Sequence, residues 1–328
     1  MAKSSTRKTV WAALAGNLLV AAAKFMAAAV TGSAAMLSEA VHSFIDTINE
    51  VLLLYGIARS RRPADRAHPL GYGRELYFWS FVVALLIFAL GAGVSFYQGM
   101  GHILEPTPLE RPAVIYIVLG VSLLFESASW VISIRAFRAS KGAMSWWEAF
   151  RRSKDPPAFI VVFEDSAAIL GIFVAAGGTA AALISGDPRW DGVASIAISI
   201  ILAAVAGLLA RESKELLIGE RADPALSDAI MRTAAGIPGV CSANSIVTVQ
   251  LAPSSIVATL SLDFFDYLRA PDIEKAVVEL ETRIKRAHPE VTALFVKPQS
   301  VLTADSSHGD GILTPDPGAG DSDPVGDG

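Results

Sequence analysis

Four ionisable residues, Glu39, His42, Asp46 and Glu50, fall inside one otherwise apolar stretch between Ser33 and Gly56. The stretch is long enough to cross a bilayer as a helix, which takes about 20 residues. Ionisable groups in hydrocarbon cost several kcal/mol unless they face a bundle interior, a wet cavity or a partner. His42 and Asp46 stand four apart, so a helix stacks them one turn apart on one face, with Glu39 and Glu50 close by. An imidazole above a carboxylate is a fit for a divalent cation. The alternative is a His–Asp hydrogen bond that only ties helices together. Two further apolar stretches carry charge: Glu126 sits near the middle of one, and Glu164 with Asp165 lies in another.

The elements that must position these groups are membrane helices. The chain has 328 residues, of which 52% are hydrophobic and only 18% charged, and its mean hydropathy is +0.47. That is too apolar for an ordinary soluble protein and indicates a polytopic membrane protein. Six spans are placed at about 9–30, 33–58, 77–101, 112–136, 158–185 and 192–210. The basic N-terminus before the first has no convincing cleavage site, so that run reads as a helix rather than a signal peptide. Tyr77-Phe78-Trp79 reads as an interfacial aromatic belt, and Gly91-Ala92-Gly93 as a point of close helix approach.

Alternate loops carry the basic residues: Lys3, Arg7 and Lys8; Arg59 to Arg74; Arg135 to Lys154; and Arg211 to Arg221. The positive-inside rule then puts both termini in the cytoplasm, the location expected being a bacterial plasma (inner) membrane. Basic groups spread over short loops give no nucleic-acid surface. The single cysteine, Cys241, excludes an intrachain disulfide and a Cys-rich zinc site, and reads as a small apolar residue. His102 and His308 read as exposed and without a role. Lys24 is expected to snorkel or to pair with a carboxylate.

After Leu217 the pattern changes. Asp223-Pro224 opens a helix that ends at Gly236 or Gly239. Two β-rich runs, 245–251 and 256–264, flank Ala252-Pro-Ser-Ser255 as a hairpin. Residues from Asp272 form a strongly amphipathic helix, and Val291–Val296 a last strand. The expected architecture is an all-α six-helix transmembrane bundle plus a small α+β cytoplasmic domain (αββαβ, ferredoxin-like). Its parts are a basic N-terminus at 1–8, the bundle at 9–217, the αββαβ domain at 218–302 and a disordered acidic tail at 303–328.

These residues together resemble a family, the cation diffusion facilitators, membrane exporters of zinc and related divalent metals. The resemblance rests on His42-x-x-x-Asp46, on the segment Arg62-Pro-Ala-Asp-Arg-Ala-His-Pro-Leu-Gly-Tyr-Gly-Arg74, on six spans and on the C-terminal αββαβ unit, and it covers about residues 10–300. Ser38-Glu-Ala-Val-His-Ser43, Leu124-Phe-Glu126 and Phe163-Glu-Asp165 with Ala168-Ile-Leu-Gly171 are similar to the branch of zinc transporter 9.

The resemblance implies proton-coupled antiport, with Zn2+ as substrate, and a homodimer formed through the C-terminal domain. It also implies a metal site between spans two and five. The family's two span-five ligand places fall on Glu164 and Ala168, so one is changed and one is lost. The implied set is His42, Asp46 and Glu164, completed by water, Asp165 or Glu126. Glu39 is a further candidate for metal or proton coupling. Asp165 projects about 100° round the helix from Glu164 and is equally readable as a hydrogen-bonded structural carboxylate. So oxygen-rich a set also suits Mn2+, Fe2+ or Co2+.

A second, loop site would use Asp65 and His68, but Tyr72 stands where the family has another His, and the pair is equally readable as a loop brace. The rivals are a non-transporting or regulatory membrane protein of the same fold and an intramembrane metalloprotease. The second lacks any His-Glu-x-x-His, so the chain is read as no enzyme.

Overall fold

In this computed structural model the backbone is described for residues 2–142 and 144–300, and the side chains for the same residues except 2–13, 15 and 140. The expected acidic tail, His308 and the basic side chains at the N-terminus lie outside the described residues. The chain divides into two compact units, Met1–Glu220 with Gln250–Pro253, and Arg221–Val249 with Ser254–Gly328.

The first unit is helical: α1 (Ala2–Thr31), α2 (Ala34–Ser60), α3 (Glu75–Leu104), α4 (Pro112–Lys141), a short α5 (Trp146–Arg152), α6 (Pro156–Ser185) and α7 (Arg189–Ile218). Among the described residues four helices are long and apolar enough to cross a membrane: α3, α4 as far as Ala139, α6 and α7. The other two expected spans map to α1, whose described apolar part is Gly16–Thr31, and to α2, whose ionisable residues dilute its apolar content. α4 and α6 open on Pro112 and Pro156, where the missing N–H costs nothing. α3 loosens into a π-helical segment over Ile87–Ala92.

The start of α2 is fastened to α7 by a buried carboxylate. Asp191 Oδ1 accepts the Ser33 hydroxyl at 2.6 Å, and Oδ2 accepts the amides of Ala34 at 2.5 Å and Ala35 at 3.1 Å. These amides are among the donors a helix start leaves unpaired, and a negative charge there also suits the helix dipole. One turn on, the Ser38 and Ser195 hydroxyls meet at 2.6 Å, and Ser195 reaches the Ser95 carbonyl at 2.8 Å.

Small residues let the helices close. A Cβ at Gly178 of α6 would lie 2.3 Å from the Ala194 Cβ of α7, and one at Gly99 of α3 would lie 2.7 Å from the Gly192 carbonyl oxygen. The tightest approach of α3 is at Gly99; within Gly91-Ala92-Gly93 it is Gly91 that faces neighbours, a Cβ there lying 3.4 Å from Leu202 of α7 and 3.8 Å from Ile45 of α2. A Cβ at Gly93 would meet only the Phe88 carbonyl of its own helix, at 3.8 Å. The aromatic belt is also narrower than the sequence suggests. Tyr77 is buried, its hydroxyl donating to the Lys154 carbonyl at 3.2 Å, and of the three only Phe78 is exposed.

The second unit runs α8 (Pro224–Ala235), β1 (Val240–Ala252), β2 (Ser255–Phe264), α9 (Ala270–Ala287) and β3 (Val291–Pro298). Its sheet has the order β1-β2-β3, with β2 and β3 parallel and Leu260 opposite Val296. α9 makes the crossover that a parallel pair requires. Asp223 caps α8, accepting from the Ala225 amide at 2.8 Å. Alternate residues of β2, Ala258, Leu260, Leu262 and Phe264, point inward and cluster with Ala276, Leu280 and Ile284 of α9 and Ile230 of α8. The element order is the one read from the sequence, with β1 starting five residues earlier, at Val240 rather than Ser245.

Gly178→Leu should break the α6–α7 packing, since overfilling a closed contact costs about 1–3 kcal/mol. Gly177→Leu should be tolerated, because a Cβ there meets nothing within 4 Å. Thermal stability of the two purified variants checks this; equal melting temperatures would refute the packing.

Candidate metal centre

Three helices bring carboxylates to one small cavity of about 70 Å³. Asp46 and Glu50 come from α2, Glu126 from α4, and Glu164 and Asp165 from α6, with Asn17, Ser43 and Ser129 among the polar neighbours. The volume exceeds the roughly 10–15 Å³ that one water needs. It can therefore take a cation together with water.

Each carboxylate is held differently. Glu164 accepts from the Asn49 amide at 2.6 Å, which ties α6 to α2. Glu50 accepts from Asn17 of α1 at 3.0 Å. Asp165 accepts the Ser129 and Ser133 hydroxyls of α4, both at 3.0 Å. Asp46 Oδ1 lies 3.3 Å from His42 Nδ1 without the directional geometry of a hydrogen bond. His42 is buried, and its Nε2 has no protein hydrogen-bond partner either. Glu50 Oε2 and Asn49 Oδ1 are likewise buried without a partner, and leaving such a group unpaired costs about 1–3 kcal/mol, so His42, Asp46 and Glu50 each have room for a further partner.

Of the candidates from the sequence, Asp46, Glu126, Glu164 and Asp165 line this cavity, and His42 stands beside it against Asp46. Glu39 does not line it. Its carboxylate is bound by the Lys24 ammonium at 3.1 Å, and both residues are fully buried, so Lys24 pairs rather than snorkels. Ala168, at the lost ligand place, is buried and supplies no donor atom. Among the described residues no three of His, Cys, Asp and Glu stand close enough to hold an ion at once in this conformation.

Other residues of the site went unread in the sequence. Asn49 does not titrate, and only its place three residues after Asp46 on the same face marks it, while Asn17 reads simply as a polar residue of the first span. Ser129 and Ser133 were legible only as an i,i+4 pair on the helix of Glu126. Two assignments need correction. His102 is buried, not exposed, because its end of α3 packs closely on α7 through Gly99. Cys241 is exposed rather than packed as a small apolar residue.

The loop pair is engaged with itself. Asp65 Oδ1 accepts the amides of Ala67 at 2.9 Å and His68 at 2.7 Å, and Oδ2 accepts the Tyr72 hydroxyl at 2.7 Å. The His68 and Tyr72 rings lie 4.2 Å apart, and His68 Nδ1 is 3.6 Å from Asp65. The Tyr72 hydroxyl, with the His68 amide second, holds the Asp65 carboxyl below its ordinary range, and Asp65 in return pushes the Tyr72 hydroxyl up. In this conformation these bonds brace the loop.

Residues 10–218 match the family profile of the cation efflux transmembrane domain. The chain is 32% identical over 282 residues to the proton-coupled zinc antiporter SLC30A9, mitochondrial, of Xenopus laevis, covering 84% of this chain and 50% of that protein. The Homo sapiens protein of the same name is 30% identical over the same shares. Metal tolerance protein C4 of Arabidopsis thaliana is 33% identical over 66% of this chain and 48% of its own length. The chain spans about half the length of these curated relatives.

Tyr72→Phe removes the strongest influence on Asp65. The Asp65 titration midpoint should move up toward the ordinary carboxylate range, read from carboxyl carbon resonances assigned by comparison with Asp65→Asn. An unmoved midpoint would mean that the backbone amides alone set it.

Proposed function

Because this chain belongs to the cation diffusion facilitators, the cation efflux family, we propose that it is a proton-coupled exporter of a divalent metal, with Zn2+ as its first substrate. The observation that carries this reading is the buried cavity lined by carboxylates of α2, α4 and α6, beside His42 and Asp46 with their unpaired atoms. The cargo ligands are His42, Asp46 and Glu164. Asp165, already satisfied by two serine hydroxyls, has a lesser share. His42 and a set of carboxylates make a nitrogen-and-oxygen site that zinc accepts. The same set leaves Mn2+ and Fe2+ as alternative cargo.

Coupling to protons follows from ligand chemistry. Metal requires a neutral imidazole and ionised carboxylates, so protons compete for the same atoms, and metal affinity falls as pH falls. A cavity opened in turn to each side exchanges one for the other. In the present conformation Glu164 is held by Asn49, so loading requires Glu164 to leave that amide or to share it. We take α1 and α2 as the remaining two of six crossings, both termini as cytoplasmic, and the C-terminal unit as the dimer-forming domain. Reporters fused after Gly101 and after Gly186 should then face away from the cytoplasm. A cytoplasmic signal at either place would overturn the topology.

The functional test is zinc flux into proteoliposomes under a fixed pH gradient. His42→Ala, Asp46→Asn and Glu164→Gln should each lower flux by about tenfold or more, as losing a group from a metal site does. Asp165→Asn should retain measurable transport. Normal flux in Glu164→Gln with none in Asp165→Asn would place the cargo on the other side of α6.

A further inference from the structure

Lys24 is a full positive charge that the cargo reading leaves unused. It is completely buried on α1, so it cannot extend to water. Its Nζ donates to Ser43 Oγ at 2.7 Å and to Glu39 Oε2 at 3.1 Å, both on α2, and lies 3.9 Å from Glu126 Oε1 on α4. Ser43 and Glu126 both line the acidic cavity. Glu39 is in turn pressed against α6, since a Cβ at Gly171 would lie 2.2 Å from its Oε1. The ammonium is therefore fixed firmly on the α2 side and reaches Glu126 only at ion-pair range.

We propose that Lys24 is a resident cation of the acidic cavity that occupies Glu126 in place of the cargo, keeping Glu126 out of the metal's ligand set and holding metal affinity down. This rests on the reading of the cavity as the cargo site. The physical reason is repulsion: a divalent ion and an ammonium on one carboxylate in a low-dielectric cavity oppose each other strongly. Lys24 is a positioning residue, since it acts on the cargo through Glu126. Its charge also offsets one of the carboxylates, which leaves a site that can still release its ion.

The test is zinc binding by calorimetry to the purified full chain in nanodiscs, with folding checked by size exclusion. Glu126→Gln should cost far less zinc affinity than loss of a cargo ligand, because Glu126 is not in the ligand set. Asp46→Asn and Glu164→Gln should each weaken it by about tenfold or more. Lys24→Met with Glu39→Gln removes the pair without changing its summed charge. That double variant should bind zinc at least about tenfold more tightly, because no ammonium then opposes the ion at Glu126, and adding Glu126→Gln should abolish the gain.

A merely structural lysine would show no such dependence on Glu126. If Glu126→Gln loses as much affinity as Asp46→Asn, Glu126 is a direct ligand and the proposal fails. A folded double variant with unchanged or weaker binding overturns it as well. Should the double variant not fold, the single Glu126→Gln measurement decides. Unchanged binding in Asp46→Asn and Glu164→Gln would overturn the cavity reading and the proposal on it; loss there, joined by equal loss in Glu126→Gln, would overturn the proposal alone.

Discussion

Carboxyl groups gathered in a poorly solvated bundle are the constraint on which this structure turns. Were two of them ionised about 4 Å apart, they would repel by about 4 kcal/mol even at an effective dielectric of 20. Asp46, Glu50, Glu126, Glu164 and Asp165 nevertheless line one cavity. The protein offsets this with amides and hydroxyls placed one for each need: Asn49 on Glu164, Asn17 on Glu50, and Ser129 with Ser133 on Asp165. One ammonium, Lys24, stands near Glu126. Asp46 has neither, only His42 Nδ1 at 3.3 Å. A cavity left short of positive charge at one point is what a cation-handling protein requires.

The surrounding scaffold is rigid where it must be. Asp191 fastens the start of α2 to α7, and the Ser38–Ser195–Ser95 chain extends the fastening inward for another turn. Gly99 and Gly192 bring α3 and α7 into backbone contact, and Gly178 does the same for α6 and α7. The links around the cavity are of another kind: single side-chain hydrogen bonds between helices, such as Asn49 to Glu164. On the proposed reading, motion that admits and releases metal breaks these single bonds and leaves the carboxylate clasp intact.

Much of this was legible in the sequence because the cost of burying charge makes it conspicuous. Glu39, His42, Asp46, Glu126, Glu164 and Asp165 stood out against apolar runs, and helical spacing put His42 and Asp46 on one face. The C-terminal unit was legible from its alternating and amphipathic periods, such as Leu260 and Leu262 in β2 and Leu280 and Ile284 in α9. Neutral partners were not legible, because an Asn or Ser in a helix looks the same whether it faces lipid or a carboxylate. Asn49, Ser129 and Ser133 acquire meaning only once the facing helix is known. Nor could spacing say that Lys24 would choose Glu39 over the interface, or that Gly99 and not Gly93 would meet a neighbour. Tyr72 shows a subtler case: its replacement of a ligand was visible, but its bond to Asp65 required the folded loop.

The central claim is that the cargo is held by the His42 imidazole with the carboxylates of Asp46 and Glu164. X-ray absorption spectroscopy of the zinc-loaded full chain tests it most directly. The account predicts a single nitrogen-and-oxygen shell at roughly 2.0–2.1 Å with one imidazole and no sulfur, and a signal that loses its imidazole component in His42→Ala. Zinc bound through two or more imidazoles or through sulfur, or a spectrum unchanged by His42→Ala, would contradict it.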